Sequence, residues 1–315
     1  MKKRRKKREK LVQVSRLLAL LLVIIAFGCS FFRRTDDGDE TPARSTIAVP
    51  APGAEIVFEE PYPPEAPQPP AAGYDAGTAG PPRVAVIIDD MGYHPEVGRK
   101  LLALDLELTF SFLPYAPHTP ELQRQAYELG RDILLHQPLE SADPSRDIGP
   151  GGLYLATPLE FVAPVVEQNL DRVPFAIGIN NHMGSGYTTD AEHMRALLAV
   201  VKSRELFFVD SFTTAESVGF LEAADMGIPT ARRHVFLDNI HNSGRICHKL
   251  EQLVSRALEQ GWAIAIGHPN RETLDALTDC RHILVENTRL VGVHELVGPL
   301  RKSDVVSPLR QSPGR

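Results

Sequence analysis

From Arg83 onward the chain repeats one unit: a short, largely apolar run, a polar end, then apolar positions at helical spacing. Val84-Ala85-Val86-Ile87-Ile88 is the first run, and it stops at Asp89-Asp90. Others are Leu108 to Leu113, Ile133 to Leu135, Phe175 to Ile179, Leu206 to Val209, Val235 to Leu237 and Ala263 to Ile266. A late run, Leu290 to Val293, completes the set. Such runs are what parallel strands need when both faces are covered. Between them lie helix signals. Thr119-Pro120-Glu121 and Thr157-Pro158-Leu159-Glu160 each give a cap, a proline and an early acid. Met194, Leu197, Leu198 and Val201 share one helical face, as do Ile246, Leu250, Leu253, Val254 and Ala257. Gly130 and Gly261 supply stops. Alternating strands and helices imply a parallel sheet with right-handed crossovers. About seven units in about 220 residues predict an irregular, seven-stranded (β/α) barrel, with an open doubly wound sheet as the alternative. The stretch Asp89 to Tyr93 has one glycine only, which argues against a phosphate-cradling loop.

Chemistry in parallel α/β folds sits at the carboxyl ends of the strands. The runs here lead into Asp89-Asp90, into His136 with Glu140 four residues on, and into Asn180-Asn181-His182-Met183-Gly184-Ser185. Later ones lead into Asp210-Ser211, Asp238-Asn239 and Gly267-His268-Pro269. Singly, each has a plain structural reading. Asp89, Asp90, Asp210 or Asp238 can cap a helix or hold a loop. His136 can be a buried histidine with its bonds satisfied, Glu140 a surface acid and His268 a turn residue. As a set, they converge on one rim, which no fold requires. Aspartate and histidine together are a zinc donor set, and a catalytic site keeps one position for water. The metal lowers the pKa of that water from about 15.7 to about 7. Adjacent aspartates after a strand are expected to point in different directions, one to the metal and one serving as base. A histidine across the rim can protonate a departing amine.

Charge divides the chain. The net charge is −6, yet residues 1–34 hold eleven Lys and Arg against one acid, so the remainder carries −16. An acidic body excludes a nucleic-acid-binding domain. The basic block is followed by 16 uncharged residues from Leu17 to Phe32. That is just short of the ~20 of a comfortable span, and Arg16 can snorkel. Residues 1–34 therefore read as a cytoplasmic basic segment with an inner-membrane anchor, or as a cleaved signal. Gly28-Cys29 also allows lipid attachment. All three readings put the body in a periplasm-like compartment, either anchored to the inner membrane or secreted. Residues 35–82 read as a linker, with eleven prolines between Pro42 and Pro82 and no periodic apolar face. Residues 83–300 form the folded domain and 301–315 a tail. Three cysteines are too few for a disulfide scaffold or a four-thiolate zinc site.

The strings VAVIIDDMGY, LLHQPLE, GINNHMGS, FFVDSFT, VFLDN and AIAIGHP, in this order, resemble the divergent polysaccharide deacetylase family (the YibQ-like group). That group is a remote relative of the NodB-type carbohydrate esterases. The resemblance covers residues 83–300 and implies Asp89 as base and Asp90 as metal ligand. The relatives' H-x-x-x-H motif corresponds to His136-Gln137-Pro138-Leu139-Glu140, so a second histidine is replaced by Glu140. Either Glu140 or His182 then completes the set, and His182 is favoured because histidine is the commoner zinc ligand. Their late histidine, a general acid, corresponds to His268. An arginine-bearing motif of the relatives is absent, and Asn180 and Asn181 occupy its neighbourhood. Asp210 is the expected substitute, holding His268 or a substrate hydroxyl. Asn181 and Ser185 are expected to bond the sugar or the oxyanion, with Asp238 nearby as a supporting group.

The expectation is thus a metal-dependent hydrolase, using Zn2+ or another divalent metal, that removes N-acetyl groups from an envelope polysaccharide or other amino-sugar glycan. Two other classes compete. One is a catalytically inactive carbohydrate-binding or scaffold protein of the periplasm. The other is a metal-dependent esterase or phosphatase, disfavoured because Arg232-Arg233 is the only cationic pair near the rim.

Overall fold

β1 (Arg83–Met91) is the central strand, and every residue after Arg83 is buried. The computed structural model describes residues 80–298. The 1–34 segment, the linker up to residue 79 and the 301–315 tail lie outside the described residues. Among the described residues no helix is long and apolar enough to cross a membrane.

Eight parallel strands follow the order β6-β5-β4-β3-β2-β1-β8-β7. They are β2 (Thr109–Phe112), β3 (Ile133–Leu139), β4 (Gly178–Met183), β5 (Phe207–Asp210), β6 (Thr230–Arg232), β7 (Val235–Phe236) and β8 (Trp262–Gly267). A ninth, β9 (Arg289–Leu290), pairs with the first two residues of β1. The seven expected runs are all there. The eighth strand, β6, has three residues and no apolar run to announce it. The strand expected at 175–179 begins three residues later. Pro174 interrupts the chain, and Phe175 stacks on Tyr127 with ring centroids 4.3 Å apart. β4 therefore extends through Asn180, Asn181 and His182, which pair in register with β3.

The helices are α1 (Pro95–Leu102), α2 (Thr119–Glu128), α3 (Leu159–Arg172), α4 (Ala191–Ser203), α5 (Gly219–Asp225), α6 (Ser243–Gln260), α7 (Arg271–Asp279) and α8 (Arg281–Asn287). The expected threonine caps are not caps. Thr119 Oγ1 donates to Leu113 O at 2.6 Å, and Thr157 Oγ1 accepts from Tyr154 N. Each hydroxyl closes its own loop instead. Side-chain capping falls to Asp190, Asn242 and Asn270 at α4, α6 and α7. Gly261 ends α6 with φ 92°, a left-handed conformation that suits glycine.

Strand periodicity sorts the core into two layers. Val84, Val86 and Ile88 join the larger cluster, packed with helix residues such as Leu122, Val166, Leu198 and Leu253. Ala85 and Ile87 join a smaller one with Leu134, Phe207, Val209, Ile264 and Ile266, closed by Val291, Val293 and Leu296. The smaller cluster is the barrel interior. Truncating a buried Ile or Leu to Ala in either layer costs about 2–5 kcal/mol. Gly178 is required there, because a Cβ would fall 2.4 Å from the Phe207 ring. Cys247 of α6 and Cys280, between α7 and α8, form a disulfide with Cα atoms 5.8 Å apart.

Candidate metal centre and active site

The parity of the interior layer continues upward into polar residues. Asp89 follows Ala85 and Ile87, His136 follows Leu134, and His268 follows Ile264 and Ile266. Ser211 follows Phe207 and Val209, while Asn180 and His182 share the parity of Gly178. The barrel is thus an apolar plug with a polar layer above it.

Asp90 has the wrong parity. It reaches the interior because it adopts φ 52°, and the β1–β2 register shifts between Ile88 and Met91. Both aspartates therefore lie within β1 and line one cavity, rather than diverging after it. Gly92, at φ 121°, completes the turn, since a Cβ would lie 2.3 Å from Thr119 Oγ1. Met183 and Phe212 are also left-handed, at φ 52° each. Non-glycine residues in this region cost of order 1–3 kcal/mol and cluster at functional sites.

Asp90, His136 and His182 each offer one donor atom, and these atoms all lie within 4.8 Å of one another. Asp90 Oδ1 is 2.8 Å from His182 Nδ1 and 3.2 Å from His136 Nε2. Two ligands about 2.05 Å from a tetrahedral ion would be about 3.3 Å apart. Neither Asp90 oxygen accepts a properly directed hydrogen bond, although the residue is fully buried. A buried carboxylate with no well-directed donor is costly, whereas lone pairs converging on one cation account for it. The adjoining cavity holds ≈ 20 Å³, room for about one water-sized group. The donor set therefore fits a divalent metal. Burial alone would raise the Asp90 carboxyl, but His182 and His136 hold it well below the usual carboxylate range.

Asp89 lies beside this cluster, its Oδ2 3.7 Å from His136 Nε2. Burial raises its pKa, against the lowering influence of His136, His268 and Asn180. Burial would lower His136, but Asp89 and Asp90 raise it overall. His268 faces the cluster from β8, with Nε2 3.8 Å from Asp90 Oδ2. Its Nδ1 is 2.9 Å from Asp238 Oδ1. Asp238 Oδ2 accepts from His268 N, Asn270 Nδ2 and Thr273 Oγ1. Burial opposes charge on His268, yet Asp238 first, then Asp90 and Asp89, push it up to about 9.

Three residues singled out in the sequence sit elsewhere, and a fourth, Asn181, spends its amide on the backbone. Glu140 stands outside the donor cluster, and its carboxylate accepts from Leu155 N, pinning the loop after β3. Asp210 touches neither His268 nor the cavity. It accepts from Phe212 N, Ser217 Oγ and Phe220 N, holding the loop into α5. Asn181 lines the cavity, but Nδ2 donates to Met183 O and Oδ1 accepts from Ser211 N, so its amide serves the backbone. Ser185 Oγ accepts from Ala142 N and braces the same loop as Glu140. One residue was missed as a site member: Asn180, fully buried, which donates to Asp89 Oδ1 at 2.8 Å. Its parity with His182 and its register opposite His136 carried the signal.

Residues 86–297 match the family described as divergent polysaccharide deacetylase. An uncharacterized protein of Haemophilus influenzae is 34% identical over 226 residues, covering 72% of this chain and 79% of its own. The uncharacterized protein YibQ of Escherichia coli is 28% identical over 215 residues, covering 68% and 67%. An uncharacterized protein from Agrobacterium tumefaciens C58 shares the fold, with a TM-score of 0.66 at 23% identity over 72% of this chain and 93% of that one. The architecture, the ordered strand-end motifs and this match agree, and the chain belongs to the divergent polysaccharide deacetylase family.

Proposed function

We propose that the protein is a metal-dependent hydrolase that removes N-acetyl groups from an amino-sugar polysaccharide of the cell envelope. One observation carries the reading: a buried Asp90–His136–His182 donor set lies between a second aspartate and a histidine held by its own carboxylate. Asp90, His136 and His182 would hold the ion, which when bound would supply Lewis acidity to the acetyl carbonyl and acidify water. The chain's own groups do the rest. Asp89 has one oxygen fixed by Asn180, and the other takes the proton of the attacking water. As the water oxygen bonds to the carbonyl carbon, the C–N bond breaks. His268 Nε2 gives its proton to the nitrogen, so acetate and a free amine leave. Asp238 keeps His268 charged for this step and fixes the ring by accepting a hydrogen bond from Nδ1–H.

Placement in the periplasm, anchored to the inner membrane or secreted, is part of the proposal. The basic and apolar N-terminal segment supports it. So does the Cys247–Cys280 disulfide, because such bonds persist in oxidising compartments. Acetate release from N-acetylated amino-sugar oligomers by the zinc-supplied full chain tests the activity. The expected result is one acetyl lost per sugar attacked, with Asp89→Asn slower by about 10²–10⁴-fold. No release with any metal, or equal release by Asp89→Asn, would reject it.

A further inference from the structure

Asn180 lies in the middle of β4, fully buried, and its side chain meets four others. Its Nδ2 is 2.8 Å from Asp89 Oδ1 and 3.3 Å from Ser211 Oγ. Its Oδ1 is 2.5 Å from Ser111 Oγ and 2.9 Å from His136 Nδ1. The partners come from β1, β2, β3 and the residue after β5, so one amide ties five consecutive strands across the barrel interior. A primary amide has two N–H donors and an oxygen with two acceptor sites, and all four are used here.

Chemistry fixes which way the amide faces. An ionised carboxylate only accepts, so the amide nitrogen must face Asp89. The amide oxygen then faces His136 and only accepts, so His136 Nδ1 must carry a proton. In the neutral ring that leaves the lone pair on Nε2, the atom 3.2 Å from Asp90 Oδ1. The orientation of the base and the tautomer of a metal ligand are therefore set by the same group.

We propose that Asn180 is the positioning residue of this centre, presenting His136 Nε2 to the cation and aiming the Asp89 carboxylate through a single amide. The inference rests on the metal-hydrolase reading. It assigns Asn180 no contact with substrate. Partners of metal-bound histidines fix the ring, and changing one costs about 10–100-fold in metal affinity or activity.

The test uses the full chain as Asn180→Ala and Asn180→Asp. It reads zinc affinity by competition with a chromophoric chelator, kcat and KM for acetate release, and crystal structures of the metal-free proteins. Asn180→Ala is expected to bind zinc about 10–100-fold more weakly and to lose at least about tenfold in kcat, with KM within about threefold. Asn180→Asp still accepts from His136 and Ser111 but offers Asp89 no donor. Its zinc affinity should return to within about threefold of wild type, or exceed it, while kcat stays low. That split also carries the test should Asn180→Ala not fold. In metal-free crystals of Asn180→Ala, the Asp89 carboxylate and His136 ring should leave their wild-type orientations. A lowered melting temperature with zinc affinity and kcat unchanged would show a merely structural role and overturn the inference. Full recovery of kcat by Asn180→Asp would overturn it as well. If the wild-type protein neither binds zinc nor releases acetate, the hydrolase reading fails separately. The crystals then decide, and unmoved Asp89 and His136 side chains reject the positioning role.

Discussion

His268 is kept charged by a carboxylate that donor groups hold in place on every side. Asp238 accepts from the ring, from His268 N, from Asn270 and from Thr273, so it stays ionised despite its burial. The sign follows directly. A histidine pushed up to about 9 is protonated at neutral pH, and donation fails as pH rises through that value. With a cation on Asp90, the two β1 aspartates lend less support, and the direct Asp238 contact is the one that survives. The falling limb of acetate release should therefore lie between the ordinary 6.5 and about 9. Asp238→Asn should move that limb to lower pH by at least about one unit, because burial is then opposed only by the weaker pull of Asp90 and Asp89. A pH–rate profile of kcat measures this, and an unmoved limb would contradict the role of Asp238. The same pair contributes stability that is fully present below 6.5 and is lost as pH rises through about 9. Placement at the ends of apolar runs made Asp89, His136 and His268 legible in the sequence. It could not show that Asp90 turns inward, because nothing in Ile88-Asp89-Asp90-Met91 marks a left-handed residue. Asn180 was given no role because the strand was expected to end at Ile179, which left its inward parity uncounted.

Loops and caps, rather than strands, decide how the site is framed. Glu140 stands where a second histidine was expected in H-x-x-x-H, yet its side chain turns to Leu155 N. Its backbone also pairs with Leu153 O, Gly186 N and Tyr187 N, so two loops meet at this residue. Glu140→Ala should therefore leave zinc affinity within about threefold, while loosening the loop by about 1.5–3 kcal/mol, the value of a hydrogen bond to a charged group. Chelator competition and hydrogen exchange at Leu155 read the two effects. A loss of zinc binding would make Glu140 a ligand and contradict the present assignment. The Cys247–Cys280 bridge closes a 33-residue separation and contributes about 2–4 kcal/mol. Alkylating cells before lysis should find both thiols protected until a reductant is added. Free thiols in intact cells would contradict a periplasmic location. Neither feature was legible in the sequence. A glutamate at motif spacing looks like a ligand until its loop partner is known, and pairing cysteines so far apart requires the packing of α6 on α7 and α8.

The whole barrel is a layered device whose lower interior is apolar and whose upper interior is polar. The alternation of runs and amphipathic stretches predicted the parallel sheet, because burial on both faces leaves a strong compositional trace. It undercounted the strands by missing β6, since three residues at a sheet edge leave almost none. It misplaced β4, since polar interior positions do not look like strand. Those same polar positions carry the site, so the weakest secondary-structure signal coincides with the densest chemistry. The proposed chemistry turns on Asp90, His136 and His182 together holding one divalent metal. Anomalous diffraction at the zinc edge, on crystals of the full chain supplied with zinc, tests it most directly. A single strong peak bounded by Asp90 Oδ1, His136 Nε2 and His182 Nδ1 is expected, with no peak there in Asp90→Ala. An empty cluster at saturating zinc, or an ion bound through Glu140 instead, would contradict it.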